Sequence, residues 1–407
     1  MIRFLRTASP KALALNAAVA TALLVAAPMI ATGAGTNGAR PAAKPLSQAL
    51  ADASAPKSFE GVSARIAFSN RLLDSVDMGE GASPLLGSGT GRLWGSADGK
   101  VRVELQSSSG GGDVQLVADG KQAWITMGDG STVYRATWTG KPDAAYKSKA
   151  EKHTPLTVKS IETAIKSVAG DVKLSEPVPD NIAGQPAYTV TATPVDTSGL
   201  LAGARISWAS ANGAPLAISI LAKDQSQPAL ELRATEATFG PVDNSVFDIQ
   251  PPAGAKITDV DVNDLAAKAK TEAAKAKAAG SKTPKRAITG LPAVTAAASF
   301  KVNAPASLAG RARSELVLLG KGKDAAVAVT YGTGMSAIAL IERPAEAKKA
   351  PATDSSYQLP TTKIGAITAT EIGTVLGAVA EFSLDGVDYT VIGSVPVSAI
   401  ESAVAGL

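Results

Sequence analysis

Every second residue of one early stretch is apolar. Val62, Ala64, Ile66 and Phe68 alternate with Ser63, Arg65, Ala67 and Ser69. That period turns one edge of an extended strand toward a core and the other toward water, which a helix cannot do with the same residues. The pattern returns in Val101, Val103 and Leu105 against Arg102 and Glu104, and shorter strand-like stretches follow at 114–118, 123–127 and 132–136. Asp98-Gly99, Asp119-Gly120 and Asp129-Gly130 stand between them. Such pairs supply the positive φ of two-residue hairpin turns, so the stretch reads as an antiparallel meander.

A short helical pattern at 46–53 precedes the meander, and a second interrupts it: Val158, Ile161, Ile165 and Val168 recur at helical spacing. Thr154 is the expected cap of that helix, with Pro155 at its first position. Beyond Pro177, Pro179 and Pro186, strands resume around Tyr188 and Val190, then Ile206 and Trp208. Asn212-Gly213 leads to Leu216, Ile218 and Ile220; Leu230 and Leu232 continue the meander, and 239–252 closes it. Residues 258–287 change to Ala and Lys, with Gly280 and Pro284 near the end, and read as a solvated helical linker. A smaller unit at 288–407 follows, with strands expected at 314–319, 325–331, 336–342, 379–384 and 387–393. A Lys348/Lys349/Pro351 loop divides them, Asp385-Gly386 makes a turn, and a closing helix opens at Pro396.

The first 35 residues have their own signature. Arg3, Arg6 and Lys11 precede an uncharged Ala-rich run at 12–31, and Thr32-Gly33-Ala34 has the small-x-small form of a signal peptidase site. Residues 1–35 therefore read as a signal peptide or an N-terminal membrane anchor, and either places the rest outside the cytoplasmic membrane. The chain has no cysteine. Disulfides, thiol catalysis, thiolate metal sites and a lipidated cysteine tether are excluded together. Forty Lys and Arg against 36 Asp and Glu leave a formal charge of +4, dispersed along the chain, with seven Phe and six Tyr to stack on bases. No nucleic acid partner is expected.

Groups for catalysis are sparse. His153, the one histidine, stands just ahead of the interrupting helix, and a triad also needs an oriented serine and acid that no spacing suggests. Zinc and copper sites recruit several His or Cys. The string Gly87-Ser88-Gly89-Thr90-Gly91 lacks the following Lys and helix of a phosphate loop, and is expected to be a flexible turn. Asp259-Val260-Asp261-Val262-Asn263-Asp264 opens like a calcium loop, but Asp264 stands where Gly is needed and Lys270 where Glu should close the site. No catalytic residue, metal or cofactor is expected, and the chain reads as a non-enzyme. Trp94, Trp124, Trp138 and Trp208 fit either core packing or the wall of an apolar cavity.

Three stretches together resemble the LolA-like family of lipoprotein carriers: RISWA at 205–209 with NGAPLAISIL at 212–221, ATFGPVDNSVFDIQPPAGAKI at 237–257, and SFEGVSARIAFSNRL at 58–72. The later unit is similar to the C-terminal domain of the RseB/MucB group of regulators, through SFKVNAPASLAGRARSELVLLG at 299–320, VTYGTGMSAIALIE at 329–342 and the final 26 residues from Phe382. The resemblance implies a mainly β, α+β protein. Its first domain, 46–257, is an unclosed antiparallel half-barrel with a helical lid that binds lipid or lipoprotein acyl chains; a smaller α+β domain occupies 288–407. It also implies, as the alternative, an envelope-stress module with a membrane-protein partner such as an anti-sigma factor. By the alternation of the strands, the lining candidates are Val62, Ile66, Phe68, Val101, Val103, Leu105, Ile206, Trp208, Ile218 and Ile220. A register slip of one residue would turn each set outward.

Overall fold

The computed structural model describes residues 39–55, 60–72, 87–108, 112–119, 122–128, 130–137, 157–261, 288–320, 322, 325–345 and 360–407. The N-terminal segment, Trp138, His153, Thr154, Pro155, the linker from 262 to 287 and the Lys348/Lys349/Pro351 loop lie outside the described residues, as do Gly120 and Asp129 of two expected turns.

Helix α1 (Leu46–Ser54) leads into β1 (Gly61–Asn70), β2 (Ser88–Ser96), β3 (Val101–Ser107), β4 (Asp113–Ala118), β5 (Gln122–Gly128) and β6 (Thr132–Thr137). After α2 (Val158–Val168) come β7 (Val172–Leu174), β8 (Val178–Ile182), β9 (Gln185–Pro194), β10 (Leu201–Ala209), β11 (Pro215–Ala222), β12 (Leu230–Phe239) and β13 (Lys256–Asp261). All thirteen strands join one sheet, ordered β13-β6-β5-β4-β3-β2-β1-β12-β11-β10-β9-β7, with β8 folded back onto β9. The path has two ends, so the sheet is a half-barrel that does not close. The two meanders meet where β1 pairs with β12, antiparallel, through a bulge between Arg65 and Ile66.

Local chemistry explains the joints. Gly213, at φ +73°, supplies the left-handed residue of the connection from β10 to β11, while Asn212 keeps a negative φ, so the pair does not form a two-residue turn. The Thr157 hydroxyl caps α2 by accepting from the Ser160 N–H at 3.1 Å, so the described helix starts later than Thr154 suggested. The string at 87–91 is not a turn, since β2 begins at Ser88. Gly91 lets β3 close in on β2: a Cβ there would stand 1.7 Å from the Glu104 carbonyl oxygen. Strand β13 adds to β6 in parallel, a pairing that alternation cannot reveal.

The second sheet is built from β14 (Ile288–Thr289), β15 (Ser307–Leu308), β16 (Arg311–Leu319), β17 (Ala326–Tyr331), β18 (Ile338–Pro344), β19 (Thr361–Ile364), β20 (Ile367–Thr374), β21 (Gly377–Leu384) and β22 (Val387–Gly393). Its order is β14-β16-β17-β18-β22-β21-β20-β19, with β15 on β16. Helix α3 (Leu291–Ala297) packs near β16, and α4 (Val397–Ala405) packs on β20, β21 and β22. Val327, Ile338, Leu340 and Val391 are fully buried together with Ile400, Ala403 and Val404 of α4. This is a smaller α+β unit with a filled core. The strand expected from 336 begins at Ile338, because Gly334–Ser336 forms a 3-10 turn. Among the described residues, no helix is long and apolar enough to cross a membrane.

Candidate ligand-binding face

Hydrogen-bond register sorts the side chains of the first sheet into rows, because residues directly opposite in an antiparallel pair share a face. One row reads Ala64, Leu93, Val103, Leu116, Ile125 and Tyr134 across β1 to β6. The next reads Ile66, Gly91, Leu105, Val114 and Met127. A third crosses the other way from Phe68 through Leu232, Ile218 and Ile206 to Val190. Val62 joins Val101 through Gly95, Ile220 lies two residues beyond Ile218, and Trp208 lies two beyond Ile206. All ten expected lining residues therefore stand on a single face, and these rows carry no Asp, Glu, Lys or Arg.

That face has two parts. On the β1–β5 side, Val62 (5% exposed), Ile66 (5%) and Leu105 (3%) are buried in a cluster with Leu93, Val114 and Ile125, while Phe68 and Val103 pack half-buried against it. On the β9–β11 side the helices come down. Leu46 and Ala49 of α1 are buried against Tyr188, Val190 and Trp208, with Ile165 of α2 beside them. The Tyr188 and Trp208 rings are 6.1 Å apart, and the Tyr188 hydroxyl donates to the Ala42 carbonyl at 2.5 Å. The Leu46 N–H donates to Glu176 Oε2 at 3.1 Å, fixing the start of α1 to the sheet. Within the second part Ile206, on β10 between Ile218 and Val190, is 45% exposed although its row is apolar. Ile218 and Ile220 beside it are half-buried.

The opposite face carries charged residues and a strapped apolar patch. Arg65 pairs with Glu236 at 3.0 Å. Trp94 and Trp124 lie on this face, not on the face with the lining candidates. The Arg102 guanidinium sits 5.2 Å from the Trp94 ring centre and donates to the Val246 carbonyl at 2.8 Å. Ile249 and Ala255 cover Val117, Trp124 and Val133. A cleft of about 110 Å³ opens between this strap and Trp124. Two of its polar groups are paired: Arg135 donates to both Asp259 oxygens at 2.8 and 3.2 Å, and the Gln122 N–H to Asp119 at 2.9 Å. Of the four tryptophans, Trp208 alone among the described residues belongs to the candidate face. Alternation carried this signal, since Trp94 follows the inward Leu93 and Trp124 precedes the inward Ile125.

In the second unit the unexpected group is Glu342. It is fully buried opposite Tyr389, accepts from the Asn303 N–H at 2.8 Å, and leaves its other oxygen without a hydrogen bond. Loss of water pushes its carboxyl up to about 7. The buried Tyr331 hydroxyl, also without a partner, is pushed up to about 12 for the same reason. Asp259, which opens the calcium-like string, is committed to Arg135 in β13. Among the described residues, no group of three or more His, Cys, Asp or Glu is placed to hold a metal.

No protein-family model and no curated protein matches this chain. Among solved structures it is similar to MucB, with 15% identity over 88% of this chain and 94% of that one and a TM-score of 0.34. It is similar to MucB in complex with MucA(peri), at 14% identity, the same shares and a TM-score of 0.32. The LolA superfamily protein NE2245 from Nitrosomonas europaea is also similar, at 11% identity over 50% of this chain and 98% of that one, with a TM-score of 0.21.

Proposed function

We propose that this chain is an extracytoplasmic lipid- or lipoprotein-binding protein, a carrier or sensor that seats acyl chains on the apolar face of its half-barrel. The observation that carries this reading is the uncharged row Phe68, Leu232, Ile218, Ile206 and Val190, with Ile206 left 45% exposed beside the two helices that cover Val190 and Trp208. A face of this kind offers a hydrocarbon chain burial without any polar group to satisfy, at about 0.8 kcal/mol per methylene. The chain lies along the row from Ile206 toward Phe68, away from the end that α1 and α2 cover. The ten lining residues are Val62, Ile66, Phe68, Val101, Val103, Leu105, Ile206, Trp208, Ile218 and Ile220. Residues 1–35 deliver the protein across the membrane, and residues 46–257 form the binding domain. Native mass spectrometry of the purified full chain, with organic extraction, tests the reading. An acyl-bearing adduct released by extraction supports it; a bare protein that also takes up no fluorescent fatty acid or lipopeptide ends it.

A second reading assigns the protein to regulation through a membrane partner. It draws on the filled core of the second unit, which suits a rigid contact surface better than a container. Crosslinking to a membrane protein that disappears when 288–407 is deleted favours this role; crosslinking unaffected by the deletion removes it.

A further inference from the structure

The two units meet at a contact that can be followed atom by atom. Residues 195–200, the connection from β9 to β10, reach the 3-10 turn Gly334–Ser336 and Ser394 of the second unit. Asp196 Oδ2 accepts from the Met335 N–H at 2.6 Å, while Oδ1 accepts from the Ser198 N–H of its own loop at 2.9 Å. The Ser336 N–H donates to Ser198 Oγ at 3.2 Å. The Leu200 N–H donates to Ser394 Oγ at 3.1 Å, and that hydroxyl donates onward to the Leu376 carbonyl at 2.8 Å. Thr333 stands at the cap position of the 3-10 turn yet makes no side-chain cap bond. Asp196, from the other unit, supplies it. Hydrogen bonds from Ser198 first, and then from the Met335 backbone, hold the Asp196 carboxyl below its ordinary value, so it is ionised at neutral pH.

Both surfaces are glycine where they touch. A Cβ on Gly334 would stand 2.0 Å from Asp196 Oδ2, and one on Gly199 would stand 2.9 Å from Met335 Cβ and 3.0 Å from its carbonyl oxygen. Gly334 has a second reason to be glycine, its φ of +68°. Gly199 has none, because its φ is not in the left-handed region; only the facing unit excludes a side chain there. A surface shaped on both sides, with three backbone N–H groups satisfied by the side chains of the facing unit, differs from the loose packing that leaves most linked domains free to move.

We propose that the 195–200 connection is an orientation latch: it holds the two units in one arrangement through Asp196, Ser198 and Gly199, and its opening frees them to turn. It hangs from β9 and β10, the strands that bear Val190 and Ile206.

Distance measurement between spin labels tests this in the full chain, since the absence of native cysteine makes introduced ones unique. Thr238→Cys and Thr368→Cys place one label on an exposed position of each unit. The parent should give a single narrow distance. Gly199→Ala, which adds one methyl group against Met335, should broaden the distribution about twofold or more, as expected for linked domains without a fixed interface. Asp196→Asn, which adds no atom, should broaden it in the same sense and decides the matter if Gly199→Ala fails to fold. Unchanged distributions in the folded variants, or a parent that is already broad, overturn the latch.

Discussion

In the second unit α4 lies on β20, β21 and β22, and Ile400, Ala403 and Val404 join Leu340 and Val391 in one continuous buried cluster. In the first unit α1 and α2 sit at the β9–β10 end of a longer sheet, and the described buried residues fall into four separate clusters. Both sheets turn one apolar face inward. The difference lies in where the helices land. A helix across the sheet turns its apolar face into a core, whereas helices over one end leave part of that face as surface, here at Ile206. Period-two patterning therefore specifies a face and is silent about what covers it.

The sharpest way to break this comparison is to cut the same chemistry from each side. Ile400→Ala should destabilise the second unit by about 3–4 kcal/mol, because a fully buried side chain leaves a cavity its neighbours cannot fill. Urea unfolding reads the effect, and a loss below about 1 kcal/mol would mean the core is not closed as described.

Glu342 gives a pH-dependent version of the test. Its folded-state pKa of about 7 lies above the ordinary value of 4.5, so the unfolded chain ionises first as pH rises. The second unit should be most stable below 4.5, lose up to about 3 kcal/mol between 4.5 and 7, and change little from this group above 7. Glu342→Gln should remove that slope and stabilise the unit at pH 8. Urea midpoints at pH 5 and pH 8 for both proteins decide it, and parallel pH profiles would show that Glu342 keeps its charge when buried.

Removing the Thr157 cap should cost α2 about 1 kcal/mol. Because α2 belongs to the lid, the loss should appear as faster amide exchange in 158–168 with little change in the second unit. Global destabilisation of both units by Thr157→Ala would mean the lid is part of a shared core. The smallest effect is expected at Ile206→Ser, within about 0.5 kcal/mol of the parent, because a residue this exposed contributes little to folding. A loss comparable to Ile400→Ala would erase the contrast between the two units.

How legible this was in the sequence follows from the same physics. Hairpins with Asp-Gly turns and the alternating rows are local, so Val62 to Phe68 and Val101 to Leu105 could be assigned to one face before the strands were seen to pair. The Gly87–Gly91 string misled because glycine signals a turn by conformational freedom, while Gly91 here serves the close approach of β2 to β3. Strand β13, the short α3 and the pair β19–β20 escaped notice because parallel addition and brief elements leave little periodic signal. Glu342 ends an apolar strand and looks like its polar boundary; only the packing of Tyr389 opposite it and of Asn303 beside it makes it interior.

The central claim is that the apolar face at Ile206 receives a hydrocarbon chain and that an equally exposed apolar residue elsewhere does not. Titration of a fluorescent fatty acid into the parent, Ile206→Glu and Ile392→Glu tests it directly, since Ile392 is 40% exposed on the second sheet. The account predicts saturable binding by the parent and by Ile392→Glu, with affinity falling about tenfold or more in Ile206→Glu as a charge enters the row. Absence of binding by the parent, or equal binding by all three, would contradict it.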